Sequence, residues 1–246
     1  AEAAIAAGRH VATERVGEGA RTISNALSIE PFASRHGDRL RSRASGALRR
    51  RACTLEQARG ARGPGDMMAL LRDHGPGAGA APRYAKLNGG MSAPCMHAGG
   101  LVVNSQTTAS WVSELRPEGA RHWATATAAP CTSLFKPVEV ARPLELGPAP
   151  DDRADEASLW WRHERLHRRV LRDPERLLPL FAEDRDRLEA VWRDAPPKPE
   201  DAFAEGDRLL EAWTARVEAH ETGRDTRPLF ARRFWEARNA RAGLAL

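Results

Sequence analysis

The stretch WWRHERLHRR, residues 160–169, contains His163-Glu164-Arg165-Leu166-His167. The H-E-x-x-H spacing puts two imidazoles on one face of a helix with a carboxylate between them, the way a helix offers zinc two nitrogens and a general base. A working centre also needs a third protein ligand and an open coordination position. The metzincin continuation requires Gly and His where this chain has Val170 and Asp173. Glu183 and Glu189, on the next helical segment, remain as third-ligand candidates. Four arginines (Arg162, Arg165, Arg168 and Arg169) crowd the two imidazoles, and positive charge beside a dication weakens its binding. Trp160, His163, His167 and Val170 share one helix face, where a half-buried packing seam would lie. The residues therefore read as packing and surface, with no metal ligands and no cofactor expected.

Other reactive side chains are few. Cys53, Cys95 and Cys131 are odd in number and widely spaced, with no C-x-x-C, so reduced thiols in a cytoplasmic protein are expected rather than a disulfide framework. His97 and His122 have no partner at ligand spacing and read as satisfied or surface histidines. In RTISNALSI (21–29) the apolar residues alternate as in a strand, which places Asn25 on the apolar face. A carboxamide there must be hydrogen-bonded. Thr107, Thr108 and Ser110 of QTTAS read as the exposed face of a strand. Lys136 precedes Pro137 and reads as a lysine reaching out from a sheet edge.

The elements that must position these groups split by composition. Residues 1–147 carry short β-like runs between turn signals, at 21–29, 99–103, 106–115, 121–127 and 133–141. A short amphipathic helix at 66–74 has Asp66 as its expected N-cap. Residues 151–246 are rich in Glu, Arg, Leu and Ala, and predict a helix over 155–171, its continuation past Pro174 to 195, and two more helices. The proline-rich seam RPLELGPAPDD (142–152) divides a sheet portion, 1–147, from a helical region, 151–246. Strands first and helices last predict an α+β fold. The 246 residues, 41% apolar, suffice for a packed core, and no apolar run reaches the length of a membrane span. The opening AEAAIAAGRH lacks the basic leader of a signal peptide. The net charge of +5 comes with 35 arginines against three lysines, interleaved with acids, and predicts no nucleic-acid partner. The dense basic stretch RLRSRASGALRRRA (39–52) reads as a solvated loop.

Taken together, RTISNALSI, MMALLRDH, QTTASWVSEL, HWATATAAPCTSLFKPV and the helical opening LWWRHERLHRRVL resemble, in order and spacing, the secernins of the cysteine-nucleophile dipeptidase group of Ntn hydrolases. The resemblance runs from about residue 10 to the end, and its most specific pieces are QTTAS and TSLFKP. It implies a four-layer αββα sandwich and hydrolysis of a peptide or small amide substrate. The nucleophile would be an N-terminal cysteine whose own α-amine is the base. It also implies that Asn25 helps hold the oxyanion, as the counterpart of an Asn that related hydrolases place at the end of a central strand. Ala1 stands where that cysteine would be, and none of the three cysteines has a free α-amine. The chain is therefore expected to be the C-terminal part of such a protein, inactive by itself. A non-catalytic interaction protein of the same family is the alternative.

Overall fold

A computed structural model describes residues 2–4, 10–13, 15 and 17–246. Most of the opening stretch read for a leader lies outside the described residues. The expected α+β composition is present in general form: small antiparallel sheets together with a larger share of helix.

Strands β1 (Glu2–Ala4) and β2 (His10–Ala12) pair with each other. Four helices follow: α1 (Phe32–His36), α2 (Arg39–Ala44), α3 (Ala47–Gly60) and α4 (Pro64–Leu71). Strands β3 (Trp111–Arg116), β4 (Gly119–Ala124) and β5 (Lys136–Val138) form an antiparallel meander in the order β3-β4-β5. Its register sets Trp111 opposite Ala124 and Ala124 opposite Lys136. The chain ends in α5 (Leu159–Val170), α6 (Pro174–Leu177), α7 (Pro179–Asp194), α8 (Pro199–His220) and α9 (Leu229–Ala242). Proline opens α6, α7 and α8, where its missing N–H costs no helical bond. Gly243, at φ +72°, closes α9 in the left-handed conformation a helix end favours.

Several sequence expectations fail. Residues 21–29 form no strand: an isolated bridge joins Ser24 to Ala26 around a tight turn, and Ile23 is 78% exposed. Strand periodicity alone cannot form a strand without a partner to pair with. Residues 99–103 are likewise irregular, as are 106–110, and β3 begins only at Trp111. The basic stretch 39–52 is helical, lying in α2 and the start of α3. Arginine is a good helix former, so charge density there did not mean loop. Helix α4 starts earlier than expected; Gly63 is its N-cap, and Asp66, in the first turn, accepts a hydrogen bond from the Arg62 N–H at 2.7 Å.

The largest core joins Leu166 and Val170 of α5, Phe181 and Trp192 of α7, and Leu210, Trp213 and Val217 of α8 to Leu134, which lies just before β5. A second joins Met68 of α4, Val112 of β3, Trp123 of β4 and Phe135. Burying such side chains contributes about 1.5–3 kcal/mol each. Leu134 and Phe135, adjacent in sequence, thus point into different cores.

Candidate metal centre

Apart from the members of these cores, a buried cluster is built mostly from irregular backbone. His74 follows α4, Cys95 and His97 sit on a loop, and Cys131 occupies a turn before β5. Their ligand atoms all lie within 4.8 Å of one another. His74 Nε2 is 3.0 Å from His97 Nε2, and the Cys95 and Cys131 sulfurs are 3.3 and 3.6 Å from that same His97 nitrogen. All four residues are buried, Cys95 and His97 completely.

The backbone around them is firmly fixed. The Cys95 N–H donates to Asp73 O at 3.1 Å, and His97 bridges Gly90 in both directions. The Met96 N–H donates to Thr107 Oγ1 at 3.0 Å, and the Thr107 N–H donates back to Met96 O. The expected exposed Thr face of QTTAS is therefore in part a clamp on the ligand loop, though Thr108 is exposed. Before Cys131, Ala126 and Ala129 adopt φ +56° and +50°. A non-glycine residue is uncommon in that region, and such strain persists only where the surroundings enforce it.

Outer partners fix both imidazoles. His74 Nδ1 faces Gly79 O at 3.4 Å. His97 Nδ1 is 3.3 Å from His167 Nε2, and His167 Nδ1 is 3.0 Å from Glu164 Oε2. The Arg168 Nε–H and the Gln106 amide donate to the other Glu164 oxygen at 2.8 and 3.1 Å. His97, read as a satisfied or surface histidine, is buried and satisfied; its partners come from positions 74, 95, 131 and 167, separations no local spacing reveals. The H-E-x-x-H imidazoles do not share a site, since His163 Nε2 contacts Ser133 Oγ at 3.2 Å while His167 supports His97. Of the proposed third ligands, Glu183 is an exposed partner of Arg187, and Glu189 is buried against Arg72.

The electrostatics follow from burial and proximity. The Cys131 thiol is held well below its ordinary value, first by the hydrogen bond from Cys95 and then by His97 and His74, against burial that pushes it up. Cys95 is pushed well up, by burial and then by the neighbouring Cys131 thiolate. Burial, reinforced by His74 and His167, lowers His97 to about 4 despite Cys131. Burial would raise Glu164, yet His167 and Arg168 bring it down to about 2.

Other singled-out residues lie elsewhere. Asn25 is exposed in the turn at 24–26, not on an apolar strand face, and its Oδ1 accepts from Arg50 Nη2 at 2.8 Å. Arg50 is itself buried and also donates to Ser24 Oγ and Met91 O. Lys136 does not reach out to solvent: its ammonium donates to Thr125 O and Leu134 O at 2.8 and 2.9 Å and lies over the Phe203 ring. Burial, only partly offset by Glu189 and Asp207, lowers it to about 8. His122 contacts Ser113 Oγ and Trp111 at the meander's outer face. Cys53 is half-buried beside Asp73 and raised to about 11, first by burial and then by that carboxylate. No helix among the described residues is long and apolar enough to cross a membrane.

No family model, curated protein or solved structure matches the chain.

Proposed function

We propose that these residues are the C-terminal scaffold of a secernin-like amide hydrolase, whose nucleophile is an N-terminal cysteine supplied by chain outside them. The substrate class is a dipeptide or related small amide, and the architecture an Ntn-type sandwich to which this part contributes. The observation that carries the reading is that the segments bearing the resemblance bond to one another. Gln106 of QTTAS donates to Glu164, and the Trp160 indole donates to Thr108 O at 3.1 Å, tying QTTAS to LWWRHERLHRRVL. Arg72 of LRDH donates to Ser133 O at 3.0 Å and Pro130 O at 2.8 Å, tying it to the TSLFKP turn.

The three cysteines present fit a non-nucleophilic role. Cys95 and Cys131 are 0% and 5% exposed, and Cys53 is held as a thiol by burial and Asp73. Asn25 fits the oxyanion role by orientation. Arg50 can only donate, so it takes the amide oxygen and turns the NH₂ edge outward, the end an oxyanion needs.

The test is hydrolysis of a dipeptide panel by the protein from the complete parent gene. The expected outcome is turnover lost on replacing its terminal cysteine and absent from residues 1–246 alone. Turnover residing in these residues would overturn the reading. So would a parent without dipeptidase activity, which would leave the interaction protein as the better description.

A further inference from the structure

We propose that His74, Cys95, His97 and Cys131 hold one zinc ion, through two imidazole Nε2 atoms and two thiolates, in a closed tetrahedral centre. The inference is independent of the hydrolase reading, because a closed centre offers no open position to a substrate.

Four observations converge. The donor set is two sulfurs and two nitrogens, the composition of structural zinc sites. The spacing also fits. Tetrahedral zinc with bonds of about 2.0–2.1 Å to nitrogen and about 2.3 Å to sulfur sets its ligand atoms about 3.3–3.8 Å apart. The three separations at His97 Nε2, 3.0, 3.3 and 3.6 Å, fall within a few tenths of an ångström of those edges, and with all four ligand atoms within 4.8 Å the widest remaining edge closes by at most about 1 Å on loading.

The outer bonds assign the tautomers. With Gly79 O accepting from His74 Nδ1 and His167 accepting from His97 Nδ1, both Nε2 atoms present lone pairs to the same small volume. Two lone pairs 3.0 Å apart repel unless a cation or a proton lies between them. Glu164, at the far end of the His97–His167 relay, fixes His167 Nδ1 as a donor and so His167 Nε2 as the acceptor behind His97.

Charge balance is favourable too. Two thiolates neutralise a dication, so the loaded centre carries no net charge into a buried site. The arginines flanking H-E-x-x-H argued against zinc at His163 and His167; here Arg168 is spent on Glu164, one residue removed from the centre. Binding displaces the protons held by the thiols and between the imidazoles to solvent and changes no oxidation state. A route in exists, because His74 lines an open cavity of about 510 Å³ with Asp73 and Gly79.

The test uses the 246-residue chain purified under reducing conditions, with metal content measured by plasma mass spectrometry and affinity by competition with a chromophoric chelator. We expect close to one zinc per chain and a dissociation constant of about 50 nM or tighter, the scale of structural zinc. An organomercurial that caps thiols should release it. His167→Gln should weaken binding roughly 10–100-fold by removing the support of His97, whereas His163→Gln should leave it unchanged. If Cys95→Ser and Cys131→Ser do not fold, cobalt substitution of the unaltered chain decides. Tetrahedral visible bands with thiolate-to-cobalt charge transfer support the centre. A six-coordinate spectrum without charge transfer overturns it, as does reduced protein that retains no zinc, in which a shared proton would hold the imidazoles together. Failure here leaves the hydrolase reading intact, because that reading is judged by a different cysteine and a different assay.

Discussion

Single residues carry most of the chemistry, and the sequence exposed them unevenly. H-E-x-x-H is a conspicuous local pattern, but it describes one helix turn, and the structure divides its residues: His163 goes to Ser133, while Glu164 and His167 back up His97. The cluster itself was illegible. Its members stand at 74, 95, 97 and 131, and only folding brings them within 4.8 Å. The near-local pair Cys95 and His97 was the available signal, and it is weak alone. Asn25 was picked out for the wrong reason, as a buried strand residue, and is instead an exposed turn residue aimed by Arg50. Under the proposed hydrolase reading, Asn25→Ala in the full-length parent should lower kcat by about 10²–10³-fold, the usual cost of one oxyanion donor. Because the side chain is exposed, the melting temperature should hardly move. Unchanged steady-state turnover would remove Asn25 from the mechanism.

Elements were legible where periodicity was long and partners were local. The helices of the second half were legible, with Pro174 and Pro199 opening α6 and α8, although Pro179 splits the run expected to continue to 195 into α6 and α7. The meander β3-β4-β5 was also legible, though its strands are shorter than the β-like runs suggested. Residues 21–29 and 99–103 failed because alternation fixes which face a side chain would take, not whether a neighbouring strand exists. What joins the elements is a buried ion pair. Arg72, at the end of α4, forks onto Glu189 of α7 at 2.9 and 2.5 Å, and Glu189 also accepts from the Phe135 N–H at 2.7 Å. Glu189→Ala strands a buried guanidinium and an amide, so it should cost about 3–5 kcal/mol in urea unfolding. A loss below about 1 kcal/mol would show that the fork does not hold α4 to α7.

At the scale of the whole molecule, an α+β fold was expected and is present in general form, with its main sheet a meander of only three strands, while the sandwich remains part of the hydrolase proposal. Global stability should also report the buried Lys136. Its value near 8 lies below the 10.5 of a free lysine, so the folded state resists the charge. That penalty is full below about pH 8 and is relieved as pH climbs toward 10.5. Relative to Lys136→Met, the unaltered protein should therefore gain about 2 kcal/mol between pH 7 and pH 9.5. A difference that stays flat or falls across that window would mean the ammonium is not desolvated. The most direct measurement concerns the proposed centre at His74, Cys95, His97 and Cys131: X-ray absorption at the zinc edge of the loaded, reduced protein. Two sulfurs at about 2.3 Å and two nitrogens at about 2.0–2.1 Å are the expected shell. A shell of five or six oxygens and nitrogens without sulfur would contradict it.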